Sequence, residues 1–112
     1  MKVTIEREGQ TLVAIVEDRI DGTNAGEFQK ELEAVITAAD RMMILDCEKL
    51  TYISSAGLRV VLLTARTLQR QNSKFAICSL TEEIGKVFQI SGFDKVIPVF
   101  ATRADVLEKF GS

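Results

Sequence analysis

Asp46-Cys47-Glu48-Lys49-Leu50-Thr51-Tyr52-Ile53-Ser54-Ser55-Ala56-Gly57-Leu58 joins an uninterrupted apolar run to an amphipathic one. Upstream, Arg41 to Asp46 is polar at its ends and apolar between, which predicts a central strand buried on both faces. Downstream, Leu58, Val61, Leu62, Ala65 and Leu68 share one face of a predicted helix running from about Ala56 to about Gln71. Val60 and Leu63 lie off that stripe, and Arg59 and Arg66 read as solvated. Between strand and helix, Cys47 to Ser54 reads as a loop. Ser55 falls at the expected N-cap, where its hydroxyl would accept a first-turn amide and contribute about 1 kcal/mol. Gly57 in the first turn costs up to about 1 kcal/mol of helix propensity relative to Ala, and suits a close approach by another part of the chain. Functional groups in open α/β sheets collect at the carboxyl ends of strands, which makes this corner the candidate site.

On the N-terminal side, Val3 and Ile5 alternate with polar residues, Glu8-Gly9-Gln10 reads as a turn, and Thr11 to Glu17 is a β-branched apolar run, so a hairpin is expected. Asp21-Gly22-Thr23-Asn24 then leads into a helix whose face is Phe28, Leu32, Val35 and Ile36. On the C-terminal side, Asn72-Ser73 breaks the second helix and Lys74 to Cys78 is a strand. Ser79-Leu80-Thr81-Glu82 has the spacing of a capping box ahead of a third helix striped with Ile84, Val87 and Phe88 and closed by Ser91-Gly92. Val96 to Phe100 is a last strand, placed at an edge by Pro98. Thr102 and Asp105 open a terminal helix carrying Val106, Leu107 and Phe110. The predicted order is β-β-α-β-α-β-α-β-α: one α/β domain over 1–112 with a mixed, mostly parallel sheet and helices packed on it.

The bulk composition narrows the function. At 112 residues, with 46% hydrophobic and 27% charged residues, the chain is one ordinary domain able to bury roughly 65% of its unfolded surface. The formal net charge of −2 shows no basic excess, which argues against nucleic acid as a partner. Apolar runs such as Met42-Met43-Ile44-Leu45 fall far short of the roughly 20 residues of a membrane span, so no membrane insertion is expected. The alternating N-terminus with its early acid, Glu6, does not read as a signal peptide, and the cytoplasm is the expected location. Cys47 and Cys78 read as reduced thiols near strand ends.

The chain has no histidine, which removes the usual serine-hydrolase base and the usual imidazole metal ligand. Ile53-Ser54-Ser55-Ala56-Gly57 lacks the first glycine of a nucleophile elbow, no sequence feature places Lys49 as a base, and Gly57 stands alone rather than in a phosphate-binding loop. No enzymatic activity, cofactor or metal is expected.

An acid followed by Leu50 and then by Tyr52-Ile53-Ser54-Ser55-Ala56-Gly57-Leu58 resembles the signature of STAS domains, the sulfate transporter and anti-sigma factor antagonist family. The resemblance extends to the element order, to Arg19-Ile20-Asp21 before the first helix and to Ile90-Ser91-Gly92-Phe93. It implies an anti-sigma factor antagonist that binds an anti-sigma factor which is also a serine kinase. The kinase would phosphorylate the serine two positions before the glycine, here Ser55, to release the complex, and a metal-dependent phosphatase on another chain would reverse the step. Asp21 matches an acid near the phosphosite, and Ser54 and Ala56 stand where the family often has Asp and Ser or Thr. Asp21, Ser54, Ser55, Ala56, Gly57, Leu58 and Arg59 are the expected partner-binding residues. A non-switching scaffold subunit of a regulatory or transporter complex is the alternative that the resemblance allows.

Overall fold

The computed structural model describes residues 1–110. Strand β1 (Lys2–Glu8) turns at Gly9, whose φ of +61° suits glycine, into β2 (Thr11–Ile20). Helix α1 (Ala25–Val35), β3 (Met42–Asp46), β4 (Leu50–Ile53) and α2 (Ser55–Arg70) follow. Next come β5 (Lys74–Cys78), α3 (Glu82–Ser91), a 3₁₀ turn (Phe93–Lys95), β6 (Val99–Phe100) and α4 (Arg103–Phe110). The main sheet runs β1-β2-β3-β5-β6, antiparallel only between β1 and β2, and β4 adds to β2 alone. The fold class is therefore the one read from the sequence, a single α/β domain on a mixed, mostly parallel sheet.

The apolar residues divide between two faces. Met43 and Leu45 of β3 join Phe28 and Leu32 of α1, Val61 and Leu68 of α2 and Phe88 of α3 in the larger core. Ile44 and Met42 point the other way, to Val106 of α4. Every residue of β3 is buried, as a strand covered on both sides requires. Cys47 and Cys78 belong to opposite clusters and are unpaired. Burial pushes the Cys78 thiol up to about 11 and raises that of Cys47 as well, so neither is a thiolate at neutral pH.

Five local expectations are corrected. The stretch Cys47 to Ser54 holds β4, paired in parallel with the last residues of a β2 that continues to Ile20. Its burial reads buried, exposed, exposed, buried, without the alternation that marks a strand in sequence. Val60 is buried, and the inward stripe of α2 is Gly57, Val60, Val61, Thr64 and Leu68, with Leu58 and Leu62 only half-buried. Thr81, not Ser79, caps α3, its hydroxyl accepting from Ile84 N at 3.3 Å. Ser79 sits at φ +64°, and its amide donates to Phe100 O, which extends the strand register past the expected helix start. Val87 is exposed. The last strand is reduced to Val99–Phe100, because Phe93–Lys95 turns as 3₁₀ and Val96 follows in helical conformation.

Asp40 locks the loop between α1 and β3. Its side chain is buried and accepts from Thr37 N at 2.7 Å and from the Arg7 guanidinium, which also donates to Val35 O. Burial by itself would raise the carboxyl, but the Thr37 amide and Arg7 outweigh it and hold the group below the usual carboxylate range. A carboxyl lowered in the folded state adds stability above its unfolded value, near pH 4, and that contribution is lost as pH falls through the lower folded value. Asp40→Ala is therefore expected to cost about 1.5–3 kcal/mol at neutral pH. Its urea midpoint should fall at unchanged slope, and the deficit should shrink below pH 4.

Candidate functional site

The corner between β4 and α2 is assembled from three segments. In the β2–β4 pairing Ile20 lies opposite Ile53, so the residues that follow, Asp21 and Ser54, leave the sheet side by side. Ser54 N donates to Ile20 O at 2.9 Å, fixing the point at which the chain turns from strand to helix. Ser54, with extended backbone (φ −85°, ψ 173°), is the N-cap: its hydroxyl accepts from Gly57 N at 3.3 Å and its carbonyl from Leu58 N at 2.9 Å. Helix α2 thus begins one residue earlier than the sequence pattern suggests, and Ser55 is its first helical residue rather than its cap. The Ser55 side chain is therefore exposed and not spent on the cap, while Ser54 is half-buried and committed to it.

Gly57 is where the helix touches the sheet. A Cβ built there would lie 2.7 Å from Ile53 Cγ1 and 2.8 Å from Ile20 Cγ2, closer than such atoms approach. The expected close approach is therefore to two core side chains, the same residues that pair β2 with β4. Ala56 and Leu58 flank it half-buried, and Arg59 is exposed one turn along from Ser55.

Asp21 is held in a tight loop. It accepts from the Thr23 hydroxyl and, at 2.9 Å, from the Thr23 amide, and Arg19 Nε lies 3.8 Å from its other oxygen. Those contacts, Thr23 first, hold its carboxyl below the usual range, so it is an anion at neutral pH. Asn24 braces the same loop, accepting from Asp21 N and donating to Arg19 O, each at 2.9 Å. Asp21 and residues Ser54 to Arg59, assigned from sequence, are thus brought together at one corner.

Two further residues of that surface escape the sequence reading. The Arg19 guanidinium stacks over the Tyr52 ring at 4.4 Å, and both side chains face solvent. The signal for this pair is the register Arg19↔Tyr52, which exists only once β4 is recognised as a strand.

A mixed sheet with three helices on one face and one on the other, carrying an exposed serine at the start of α2, is the arrangement of a STAS domain. The chain belongs to that family: the STAS domain profile matches residues 2–106. It is 38% identical over 103 residues to BtrV of Bordetella bronchiseptica, which carries the name of an anti-sigma factor antagonist, covering 92% of this chain and 89% of that one. Among solved structures, an anti-sigma factor antagonist from Mycobacterium paratuberculosis superposes with a TM-score of 0.89 at 20% identity, over 99% of this chain and 94% of that one. The anti-sigma factor antagonist SpoIIAA is similar in its unphosphorylated form (TM-score 0.82, 21% identity, 97% of this chain and 96% of that one). Its phosphorylated form, from Bacillus, also matches (TM-score 0.75, 21% identity, 97% and 99%).

Proposed function

We propose that this protein is an anti-sigma factor antagonist that works as a phosphorylation-controlled switch. With Ser55 unmodified it binds and sequesters an anti-sigma factor that is also a serine kinase. Phosphorylation of Ser55 by that kinase releases it, and a metal-dependent serine phosphatase on another chain restores the binding form. The observation that carries this reading is the division of labour between adjacent serines: Ser54 supplies the helix cap, and Ser55 presents an exposed hydroxyl that makes no hydrogen bond among the described residues. The 38% identity to a protein named for anti-sigma factor antagonism, and the similarity to a relative whose structure exists in phosphorylated and unphosphorylated forms, support it.

Asp21, Ser54, Ser55, Ala56, Leu58 and Arg59 form the partner surface, with Arg19 and Tyr52 at its margin, whereas Gly57, expected there from sequence, is buried against Ile20 and Ile53 and seats the helix that presents it. The domain has no catalytic role of its own. Lys49 stands at the far end of β4, roughly 16 Å of extended chain from Ser54, too far to act as a base for the serine. The switch operates in the cytoplasm, where its kinase draws on ATP. The test is incubation with the cognate kinase and ATP, followed by intact mass. Wild type and Ser54→Ala should each gain one phosphate, the latter more slowly because its helix start is loosened, and Ser55→Ala should gain none. Undiminished labelling of Ser55→Ala, or unlabelled wild type in a stable complex as a fixed scaffold would give, overturns the reading.

A further inference from the structure

We propose that Arg59 receives the phosphate of phosphorylated Ser55 in an ion pair across the first turn of α2, an inference that rests on Ser55 being the modified residue. The two positions are four apart on the same helix, and both are exposed. Helical side chains lean toward the N-terminus, so the long Arg59 side chain covers the turn on which Ser55 sits. Residues at this spacing are neighbours on the helix surface, and an anion placed N-terminal to a cation is the favoured order.

The other charges at the corner leave this role to Arg59. Arg19 is already engaged, 3.8 Å from Asp21 and stacked on Tyr52. Arg66 lies eleven residues along α2 from Ser55, about 16 Å at the helical rise. The first turn of α2 contains no acid to compete for the guanidinium, and among the described residues Arg59 forms no ion pair.

The pairing changes the surface in two ways. A phosphoserine brings about −1.5 to −2 of charge, so a single arginine leaves a net negative corner. Arg59 itself, solvent-facing and open to a partner before modification, becomes occupied from within. Phosphorylation thus adds an anion to the binding surface and withdraws a cation from it.

The test uses full-length protein with phosphoserine installed at position 55 by genetically encoded incorporation, followed by ³¹P NMR titration of its second ionisation. Charge-assisted pairing at this spacing predicts that Arg59→Gln weakens the second acid constant about two- to fivefold relative to wild type. Arg59→Lys should show only part of that loss, and Arg66→Gln should titrate as wild type does. Identical titration of wild type and Arg59→Gln overturns the proposal, as does an equal effect from Arg66→Gln. Because the phosphate is installed without a kinase, failure of the kinase to modify Ser55 counts against the switch alone and leaves this measurement intact.

Discussion

Phosphorylation of Ser55 is expected to lower affinity for the anti-sigma factor about 30-fold or more while leaving the circular dichroism spectrum of the domain unchanged. The opposite signs come from two environments of the same charge. Inside the domain, the phosphate meets the amide end of α2, where the amides of Ser55 and Ala56 have no hydrogen-bond partner among the described residues. An anion there stabilises by about 0.3–1 kcal/mol. The Ser54 cap and the Ser54–Ile20 bond involve other atoms and are retained. In a complex, the same charge is trapped in an interface beside Asp21, already an anion at neutral pH. A single arginine leaves part of the phosphate charge uncompensated; an uncompensated charge in that setting costs about 2–5 kcal/mol, and about 2 kcal/mol already corresponds to 30-fold. The interface cost therefore exceeds the helix gain. Calorimetric titration of the partner with unmodified, enzymatically phosphorylated and Ser55→Asp protein reads the difference. Ser55→Asp should lose less than the phosphoprotein because it carries less charge, and Ser55→Ala should bind as wild type does. Equal affinity before and after phosphorylation would exclude a binding switch at this residue.

Substitution of Gly57 is expected to destabilise the domain at the point where α2 is seated on the sheet. Gly57→Ala places a methyl group within 3 Å of Ile20 and Ile53, both in the main core. Forcing an extra carbon into packed surroundings costs about 1–3 kcal/mol, against roughly 1 kcal/mol regained in helix propensity. The net is a destabilisation of up to about 2 kcal/mol, rising to about 3 kcal/mol for the larger, branched side chain of Gly57→Val. Gly85→Ala in α3 is the matched control. A Cβ there meets nothing within 4 Å, so the same chemical change should stabilise by about 0.4–1 kcal/mol. Urea midpoints for the two alanine variants should therefore move in opposite directions. Because Gly57 seats the helix that presents Ser55, Gly57→Val should also slow phosphorylation by the kinase. A stabilised Gly57→Ala would show that the start of α2 can shift off the sheet at no cost.

What could be read in the sequence and what could not divides along the range of the forces involved. Helix α1 and strand β3 were legible because their patterns are local: Phe28 and Leu32 recur at the helical spacing, and Met42 to Asp46 is the unbroken buried run of a strand covered on both faces. Strand β4 was not, because its two exposed central residues, Thr51 and Tyr52, follow from pairing with β2 alone, a long-range fact with no local period. The caps failed for a related reason. Ser54 and Ser55, like Ser79 and Thr81, are chemically equivalent candidates, and the choice between them is made by hydrogen bonds to Ile20 and Phe100, far away in the chain.

The amino-acid sequence on its own settled that this is an α/β domain with a serine-bearing corner at the carboxyl end of a buried strand, because hydrophobic periodicity and residue type are local properties. Tertiary structure alone decided which serine is spent on the helix and which is presented to solvent. It also set Asp21 and the Arg19–Tyr52 stack beside that serine. Those outcomes depend on the register of β2 against β4 and on Gly57 pressing into Ile20, contacts between segments more than thirty residues apart that no local pattern encodes.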